Sequence, residues 1–268
     1  MNFDVSDSNF HDWMIDRGMS ENSARTYSQA IKGIWPNDPG GWLKRKSSGS
    51  SPGSLTVYRA AIRKWIRFNG GDPSKYALKG RTQKAKRKAP RPLTDGQLNA
   101  YRKCAQALPD AYRMIALLLP ATGLRISECC GLKLSQVERR KNRIALVFEG
   151  KGEHERRVYL GATMRREFVA YLKKMGPAKK SGWLFQGNKG NHVSSERVRQ
   201  YLREISHKIG IYVYPHLLRH TYATNLHEKG NSVRVIQAAL GHASAKTTMR
   251  YIHPTDSELD RINLEATC

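Results

Sequence analysis

The sequence has no long hydrophobic run and few cysteines, and each shortage excludes a class of protein. A membrane-spanning helix needs about 20 consecutive apolar residues, whereas the densest apolar run, residues 114–119, is flanked by Arg113 and Pro120. The four cysteines include the adjacent Cys129 and Cys130 but form no CxxC pair, so we expect neither a structural zinc site nor a disulfide framework. Because its first ten residues, MNFDVSDSNF, lack a hydrophobic signal core, we expect a cytoplasmic protein with no membrane partner.

Acidic residues are scarce as well. The 268 residues include 47 Lys and Arg against 22 Asp and Glu, which gives a formal net charge of +25. Like charges repel one another in a compact state, so this excess indicates a polyanionic partner, and nucleic acid is the leading candidate. The 39% of hydrophobic residues still suffices for one large folded domain or two ordinary ones.

A basic stretch divides the sequence into two predicted domains, residues 1–78 and 92–268. Between them, residues 79–91 (KGRTQKAKRKAPR) contain seven basic residues, no acid and no apolar periodicity, which is typical of an inter-domain linker. A solvated tether that only aids solubility is the alternative to a linker that lies along a phosphate backbone. The linker residues predicted to contact phosphates are Lys84, Lys86, Arg87 and Lys88.

The first domain has helical periodicity. Apolar side chains recur over residues 24–34 behind Ser20 and over residues 57–68 behind Ser54, and each serine is the predicted N-cap of its helix. With residues 44–53 (KRKSSGSSPG) as a loop, the pattern predicts an all-helical domain of about four helices. No cluster of potential catalytic groups occurs in it, so we expect it to bind the polyanion. The basic residues expected on its outward faces are Arg59, Arg63, Lys64 and Arg67.

The second domain combines helices with a few strands, so the predicted fold is mainly α with a small β-hairpin or sheet. Residues 98–119 predict two helices interrupted near Pro109. Residues 143–148 and 157–160 predict two strands of a hairpin whose tip is Gly-Lys-Gly. Three further helices are predicted to end at glycines 210, 230 and 241.

Six polar residues of the second domain are candidates for chemistry. They are Arg125, Lys151, His216, Arg219, His242 and Tyr251. Pro215 is able to open a helix, which places His216 in the first turn and Arg219 near it on the same face. One imidazole and one guanidinium are therefore expected to point in the same direction.

Most of these candidates also have an ordinary interpretation. Arg125 would pair with Glu128 three residues later, and Lys151 would be a solvent-exposed hairpin lysine. His216 and His220 have the spacing of two zinc ligands, but the segment HLLRH lacks the Glu of HExxH and no third ligand is indicated. We therefore predict no metal site.

Taken in chain order, the candidates resemble the tyrosine recombinase family, which includes phage integrases and the Xer recombinases. The resemblance covers about residues 90–255, whereas the N-terminal helices and linker match the family's core-binding domain in layout only. The segments that carry it are ATGLRISE at 121–128, GKG at 150–152, HLLRHT at 216–221, LGH at 240–242, and Tyr251.

The resemblance implies a site-specific recombinase or integrase that cleaves and rejoins duplex DNA through a 3′-phosphotyrosine. In that reaction Tyr251 would attack the phosphodiester, and Arg125 and Arg219 would hold its non-bridging oxygens, for which paired guanidiniums are well suited. Lys151 would protonate the leaving 5′-oxygen. His216 would accept a proton or bind the phosphate. His242 would donate a second hydrogen bond to the phosphate.

The same resemblance implies no cofactor, because transesterification conserves the energy of the phosphodiester bond. The sequence contains no GxxxxGK[ST] loop for a nucleotide and no obvious carboxylate cluster for metal ions. Family members assemble as tetramers on two DNA sites and dock a C-terminal segment on a neighbour. Here only 17 residues follow Tyr251, so any such exchange is expected to be abbreviated.

Two other functions remain open at this point. A type IB-like topoisomerase would use similar chemistry to relax a single duplex, and a catalytically inactive DNA-binding regulator would keep the scaffold alone. Relaxed circles, exchanged strands or the absence of a covalent complex would separate the three. The target sequence, the direction of the reaction and any accessory proteins cannot be read from the side chains.

The net charge predicts a steep salt dependence of DNA binding. If the protein neutralises about 6 to 10 phosphates, raising the salt from about 50 to 200 mM should weaken binding by about 10³- to 10⁵-fold, because condensed counterions are released. Fluorescence anisotropy of a labelled duplex at several salt concentrations measures the slope. An affinity that does not change with salt would contradict phosphate-dominated binding.

Overall fold

Helices make up most of the residues that the structure describes. The computed structural model describes residues 7–78, 91–141, 143–149, 155–175, 182–187 and 190–241. The chain divides into two units, Met1–Lys88 and Ala89–Cys268. The helices of the first unit are α1 (Asp7–Asp16), α2 (Glu21–Ala30), α3 (Pro39–Ser47) and α4 (Pro52–Phe68).

Large aromatic side chains form the core of the first unit. Trp65 on α4 is 1% exposed and packs in one cluster with Phe10 and Trp42. The rings of Phe10 and Phe68 lie 5.5 Å apart, a distance favourable for aromatic pairs. The apolar spacing that predicted helices thus places one side of each helix in a shared core, and the predicted all-helical fold of this part is confirmed.

The boundaries of two of these helices differ from the prediction. Ser51 rather than Ser54 is the N-cap of α4, since the Ser51 hydroxyl accepts a hydrogen bond from the Ser54 backbone N–H at 3.2 Å. The prediction of a loop over residues 44–53 is wrong at both ends, because α3 continues to Ser47 and α4 begins at Pro52. Proline is tolerated at the first helical position, where its missing N–H would have no partner.

The helix behind Ser20 begins where predicted but is shorter. It ends at Ala30, and Ile31 is already its C-cap. Ile34 is buried all the same, at 4% exposed. Burial of an apolar side chain therefore continues beyond the helix, which is why the apolar spacing alone overestimated its length.

The second unit is built around one helix with an apolar central segment. Its central residues 114–119 are all buried, and the helices before and after it pack against them. The predicted break near Pro109 is confirmed, whereas the helix over residues 162–175 was not predicted. The helices are α5 (Asp95–Gln106), α6 (Asp110–Thr122), α7 (Ile126–Cys130), α8 (Ala162–Met175), α9 (Ser195–Ile209), α10 (Pro215–Glu228) and α11 (Val233–Leu240). Among the described helices, none is both long and apolar enough to cross a membrane.

Three antiparallel strands form a small sheet beside these helices. They are β1 (Val137–Arg140), β2 (Arg143–Glu149) and β3 (Glu155–Tyr159), in that order across the sheet. Leu146 pairs with Val158, and both side chains are buried. The predicted hairpin is thereby confirmed, while β1 is an addition to it. The tip with Lys151 lies outside the described residues.

Helices α6, α9 and α11 each end at a glycine in the left-handed conformation. The φ angles are +64° at Gly123, +66° at Gly210 and +65° at Gly241. Gly123 has no room for a side chain, because a Cβ there would lie 2.9 Å from Leu240 Cδ2 and would also overlap the ring of Tyr222. At Gly210 a Cβ would meet no atom of the described residues within 4 Å.

This difference predicts unequal effects of two glycine-to-alanine substitutions. Gly210→Ala should lower the free energy of unfolding by about 1–2 kcal/mol, the cost of left-handed backbone alone. Gly123→Ala should lower it by a further 1–3 kcal/mol or so, because the added methyl group overfills a packed site. Urea unfolding followed by circular dichroism measures both values. Equal losses would show that the contact with Tyr222 and Leu240 is unimportant.

Candidate active site

A pocket of about 490 Å³ opens in the second unit beside α7, α9 and α10. Cationic side chains dominate its polar lining, and no described residue in that lining carries a carboxylate. Guanidiniums hold phosphate oxygens through paired hydrogen bonds, so such a pocket favours a phosphate group. The ionisable basic residues of the lining are Arg125, Arg199, Arg203, His216 and Arg219.

Arg219 is the buried member of this group. Its side chain, on α10, is buried, with the residue 3% exposed. Nη1 donates a hydrogen bond to the Gly123 carbonyl at 2.6 Å, and Nη2 donates one to the Leu240 carbonyl at 2.7 Å. These carbonyls lie at the carboxyl ends of α6 and α11, where the helix dipole favours a cation. Arg219 therefore joins two helix ends while it lines the pocket.

Arg125 stands at the N-cap position of α7 and is held by Glu128. Its backbone N–H donates to Glu128 Oε2 at 2.8 Å, and its Nη1 donates to Oε1 at 2.7 Å. Nη2 lies 3.5 Å from the Gly241 carbonyl oxygen. The ion pair considered above as an ordinary role for Arg125 is thus present. The Arg125 side chain remains 44% exposed and lines the pocket, so the ion pair orients the guanidinium there.

Glu128 is an ionised anchor for the arginines. Partial burial raises the pKa of its carboxyl group, but the hydrogen bond from the Arg125 backbone and the charge of Arg156 outweigh burial, and the pKa is lowered. Arg156 Nη2 donates to Glu128 Oε2 at 2.9 Å. A carboxylate shared by two guanidiniums leaves a net positive charge beside the pocket.

His216 lies in the first turn of α10, directly after Pro215, as predicted. Partial burial and the nearby charges of Arg219, Arg125 and Arg199 lower the pKa of its imidazole below the ordinary value. Each of these effects disfavours the protonated ring. The neutral imidazole, which is the form able to accept a proton, is therefore favoured at the pocket.

The structure brings three of the six predicted catalytic residues together. Arg125, His216 and Arg219 line the same pocket, whereas Lys151, His242 and Tyr251 lie outside the described residues. His242 follows Gly241, the C-cap of α11, directly in sequence. The three predicted catalytic residues that the structure describes thus line one pocket.

The predicted DNA-binding residues are only partly described. On α4, Arg63 and Arg67 are exposed, as predicted for an outward face. Arg59 and Lys64 are half-buried, so they are less accessible than predicted. The linker residues lie outside the described part of the chain; they are Lys84, Lys86, Arg87 and Lys88.

Sequence reasoning missed several residues around the pocket. Arg199 and Arg203 are exposed on α9 four residues apart, and Tyr212 is 70% exposed beside them. The helical spacing of the two arginines was a usable signal, because residues four apart share a helix face. The signal for Arg156 was weaker. Side chains alternate between the two faces of a strand, so Arg156 lies on the inward face of β3 and Arg157 on the exposed one.

Comparison with known proteins gives similarities over nearly the whole chain. Residues 93–258 match the phage integrase family. The chain is 32% identical over 265 residues to the tyrosine recombinase XerA of Thermococcus onnurineus, covering 93% of this chain and 90% of that protein. It is 33% identical over 219 residues to XerA of Pyrococcus horikoshii, covering 81% and 74% respectively.

Solved structures show the same fold. A crystal structure of XerA recombinase is similar with a TM-score of 0.57 at 24% identity, over 97% of both chains. The Tn1549 transposon integrase in complex with transposon right end DNA is similar with a TM-score of 0.70 at 18% identity, over 98% of this chain and 99% of that one. At these identities the likeness concerns the arrangement of helices and strands.

The electrostatics of the pocket predict the titration of His216. Its pKa, measured from the pH dependence of its imidazole NMR resonance, should lie below the ordinary value of about 6.5. Arg199→Gln removes one of the nearby cations and should raise the pKa. Arg197→Gln is the matched control, because Arg197 is on the same helix but does not line the pocket. A pKa at or above 6.5, or one indifferent to Arg199, would contradict this description of the site.

Proposed function

Because the chain belongs to the phage integrase family of tyrosine recombinases, we propose that it is a site-specific recombinase that cleaves and rejoins duplex DNA through a 3′-phosphotyrosine. One observation carries the proposal: Arg125, Arg219 and His216 line one pocket that contains no described carboxylate. Such a pocket matches a phosphodiester in charge and in hydrogen-bonding geometry.

The two guanidiniums act on the phosphate. Negative charge builds on the non-bridging oxygens as the nucleophile approaches, and donors already in place stabilise that charge without rearrangement. Arg219 is held by backbone carbonyls and Arg125 by Glu128. The proposed role of both residues is to hold the scissile phosphate.

Three further residues move protons and bonds in the proposed reaction. The Tyr251 hydroxyl oxygen forms a bond to phosphorus while the bond from phosphorus to the 5′-oxygen breaks. His216 takes the phenolic proton, and Lys151 gives a proton to the departing 5′-oxygen. His242 donates a hydrogen bond to the phosphate. In the reverse step a 5′-hydroxyl attacks the phosphotyrosine and releases Tyr251, so one ester replaces another and the scheme needs neither a nucleotide nor a metal ion.

We propose the following division of labour along the chain. Residues 1–78 form a helical core-binding domain, residues 79–91 a basic linker, and residues 92–268 the catalytic domain. The first domain and the linker contact DNA phosphates, a role supported by the net charge of +25. Strand exchange requires two duplexes, so the active assembly is a tetramer on two DNA sites. The protein works on DNA in the cytoplasm.

The direct test is the covalent adduct. A pool of nicked duplexes of random sequence traps any phosphotyrosyl complex, since the short cleaved fragment diffuses away, and sequencing the trapped DNA identifies the target. Tyr251→Phe should bind this DNA as tightly as the unmodified chain yet form no adduct, because it lacks the attacking oxygen. Denaturing electrophoresis measures the adduct.

Tyr212→Phe is the matched control for this experiment. Tyr212 is 70% exposed and lines the same pocket, so it is the described tyrosine best placed to replace Tyr251 as the nucleophile. The Tyr212→Phe chain should still form adducts. Adducts that persist in Tyr251→Phe and disappear in Tyr212→Phe would transfer the role to Tyr212.

A further inference from the structure

Two consecutive arginines of β3 have opposite surroundings. Arg157 points to the outer face of the sheet, where its Nη2 lies 2.7 Å from Glu155 and 3.5 Å from Glu138. Arg156 points inward, and its side chain is only 12% exposed. Burying an arginine is costly unless its donors are paired. The hydrogen-bond partners of Arg156 therefore indicate its role.

The partners of Arg156 lie on two separate helices. Nη2 donates to Glu128 Oε2 on α7 at 2.9 Å, and Nη1 donates to the Leu240 carbonyl at the end of α11. The guanidinium carbon lies 4.9 Å from the ring centroid of Phe148 on β2, within cation–π range. Glycine at position 241 leaves room for this side chain, because a Cβ there would lie 2.8 Å from Arg156 Cδ.

Both acceptors of Arg156 also bind an arginine of the pocket. Glu128 accepts hydrogen bonds from Arg125, and the Leu240 carbonyl accepts one from Arg219. Arg156 therefore closes a chain of hydrogen bonds that runs from one pocket guanidinium to the other. It reaches them through Glu128 on one side and the end of α11 on the other.

We propose that Arg156 is a positioning residue of the active site. It holds Glu128 and the carboxyl end of α11 at a fixed separation, and it thereby fixes the positions of the two phosphate-binding guanidiniums. This inference rests on the proposed function. The planar fork of arginine makes two directed hydrogen bonds at once, which a single ammonium group on a flexible stem does less well. The second cation on Glu128 also keeps this carboxylate from neutralising Arg125 alone.

The experiment compares three variants on the duplex recovered from the adduct capture. Arg156→Met removes the charge and the fork, Arg156→Lys keeps the charge only, and Arg157→Met is the matched control on the outer face. Single-turnover adduct formation at saturating protein is measured beside DNA affinity and the thermal unfolding midpoint. Hydrogen exchange of residues 233–241 reports on the end of α11 without DNA.

Positioning predicts a particular set of results. Both Arg156 variants should form adducts about 100-fold more slowly, the order of effect expected when reacting groups shift by about 1 Å, and their DNA affinity should change less than about 3-fold because the phosphate-contacting surface is kept. Residues 233–241 should exchange faster. Arg157→Met should match the unmodified chain in adduct formation, DNA affinity and hydrogen exchange.

Other results would overturn the inference. Normal adduct formation by folded Arg156→Met, or full activity of Arg156→Lys, would show that the fork is not needed; if Arg156→Met does not fold, Arg156→Lys decides. If the unmodified chain forms no adduct, the proposed function fails. Hydrogen exchange of residues 233–241 then tests the positioning role of Arg156 on its own. Unchanged exchange in residues 233–241 of the Arg156→Lys chain would then refute the anchor, and faster exchange would support it.

Discussion

Three guanidinium groups of the second unit meet at the carboxyl end of α11. Arg219 and Arg156 both donate to the Leu240 carbonyl, and Arg125 reaches the Gly241 carbonyl. A helix end offers carbonyl groups without intrahelical partners together with the negative pole of the dipole. These groups satisfy guanidiniums that would otherwise be buried at high cost. The proposed active site depends on this arrangement, because the same guanidiniums line the pocket or anchor those that do.

This concentration of charge constrains the backbone around it. Gly123 and Gly241 end the two helices whose carbonyls accept hydrogen bonds from Arg219 and its neighbours, and neither has room for a side chain. Glu128 balances part of the charge and is shared by Arg125 and Arg156. A phosphate entering the pocket would meet donors whose orientation is already determined by the fold, which is how an enzyme stabilises a transition state without reorganisation.

Much of this architecture could be predicted from local patterns. The periodicity and final glycine of α9 predicted its extent, and two short apolar segments on either side of a Gly-Lys-Gly turn predicted the hairpin of β2 and β3. The order of motifs along the chain indicated Arg125, His216 and Arg219. These features depend on residues close in sequence, or on combinations of residue types that few reactions require.

The remainder depended on partners distant in sequence. Arg156 lies 28 residues from Glu128 and 84 from Leu240, and no local pattern encodes such a pairing. Strand β1 reads VERR, with a single apolar residue, and is a strand because β2 supplies its hydrogen bonds.

Helix α8 is different, because its buried residues recur at helical spacing and the helix could have been predicted from the sequence.

The central claim, that the arginine pocket holds the phosphate at which DNA is cut, is tested most directly by a structure of the Tyr251→Phe chain bound to its target duplex. We expect one backbone phosphate between the guanidiniums of Arg125 and Arg219, within hydrogen-bonding distance of His216. A duplex bound elsewhere on the chain, with no phosphate in that pocket, would contradict it.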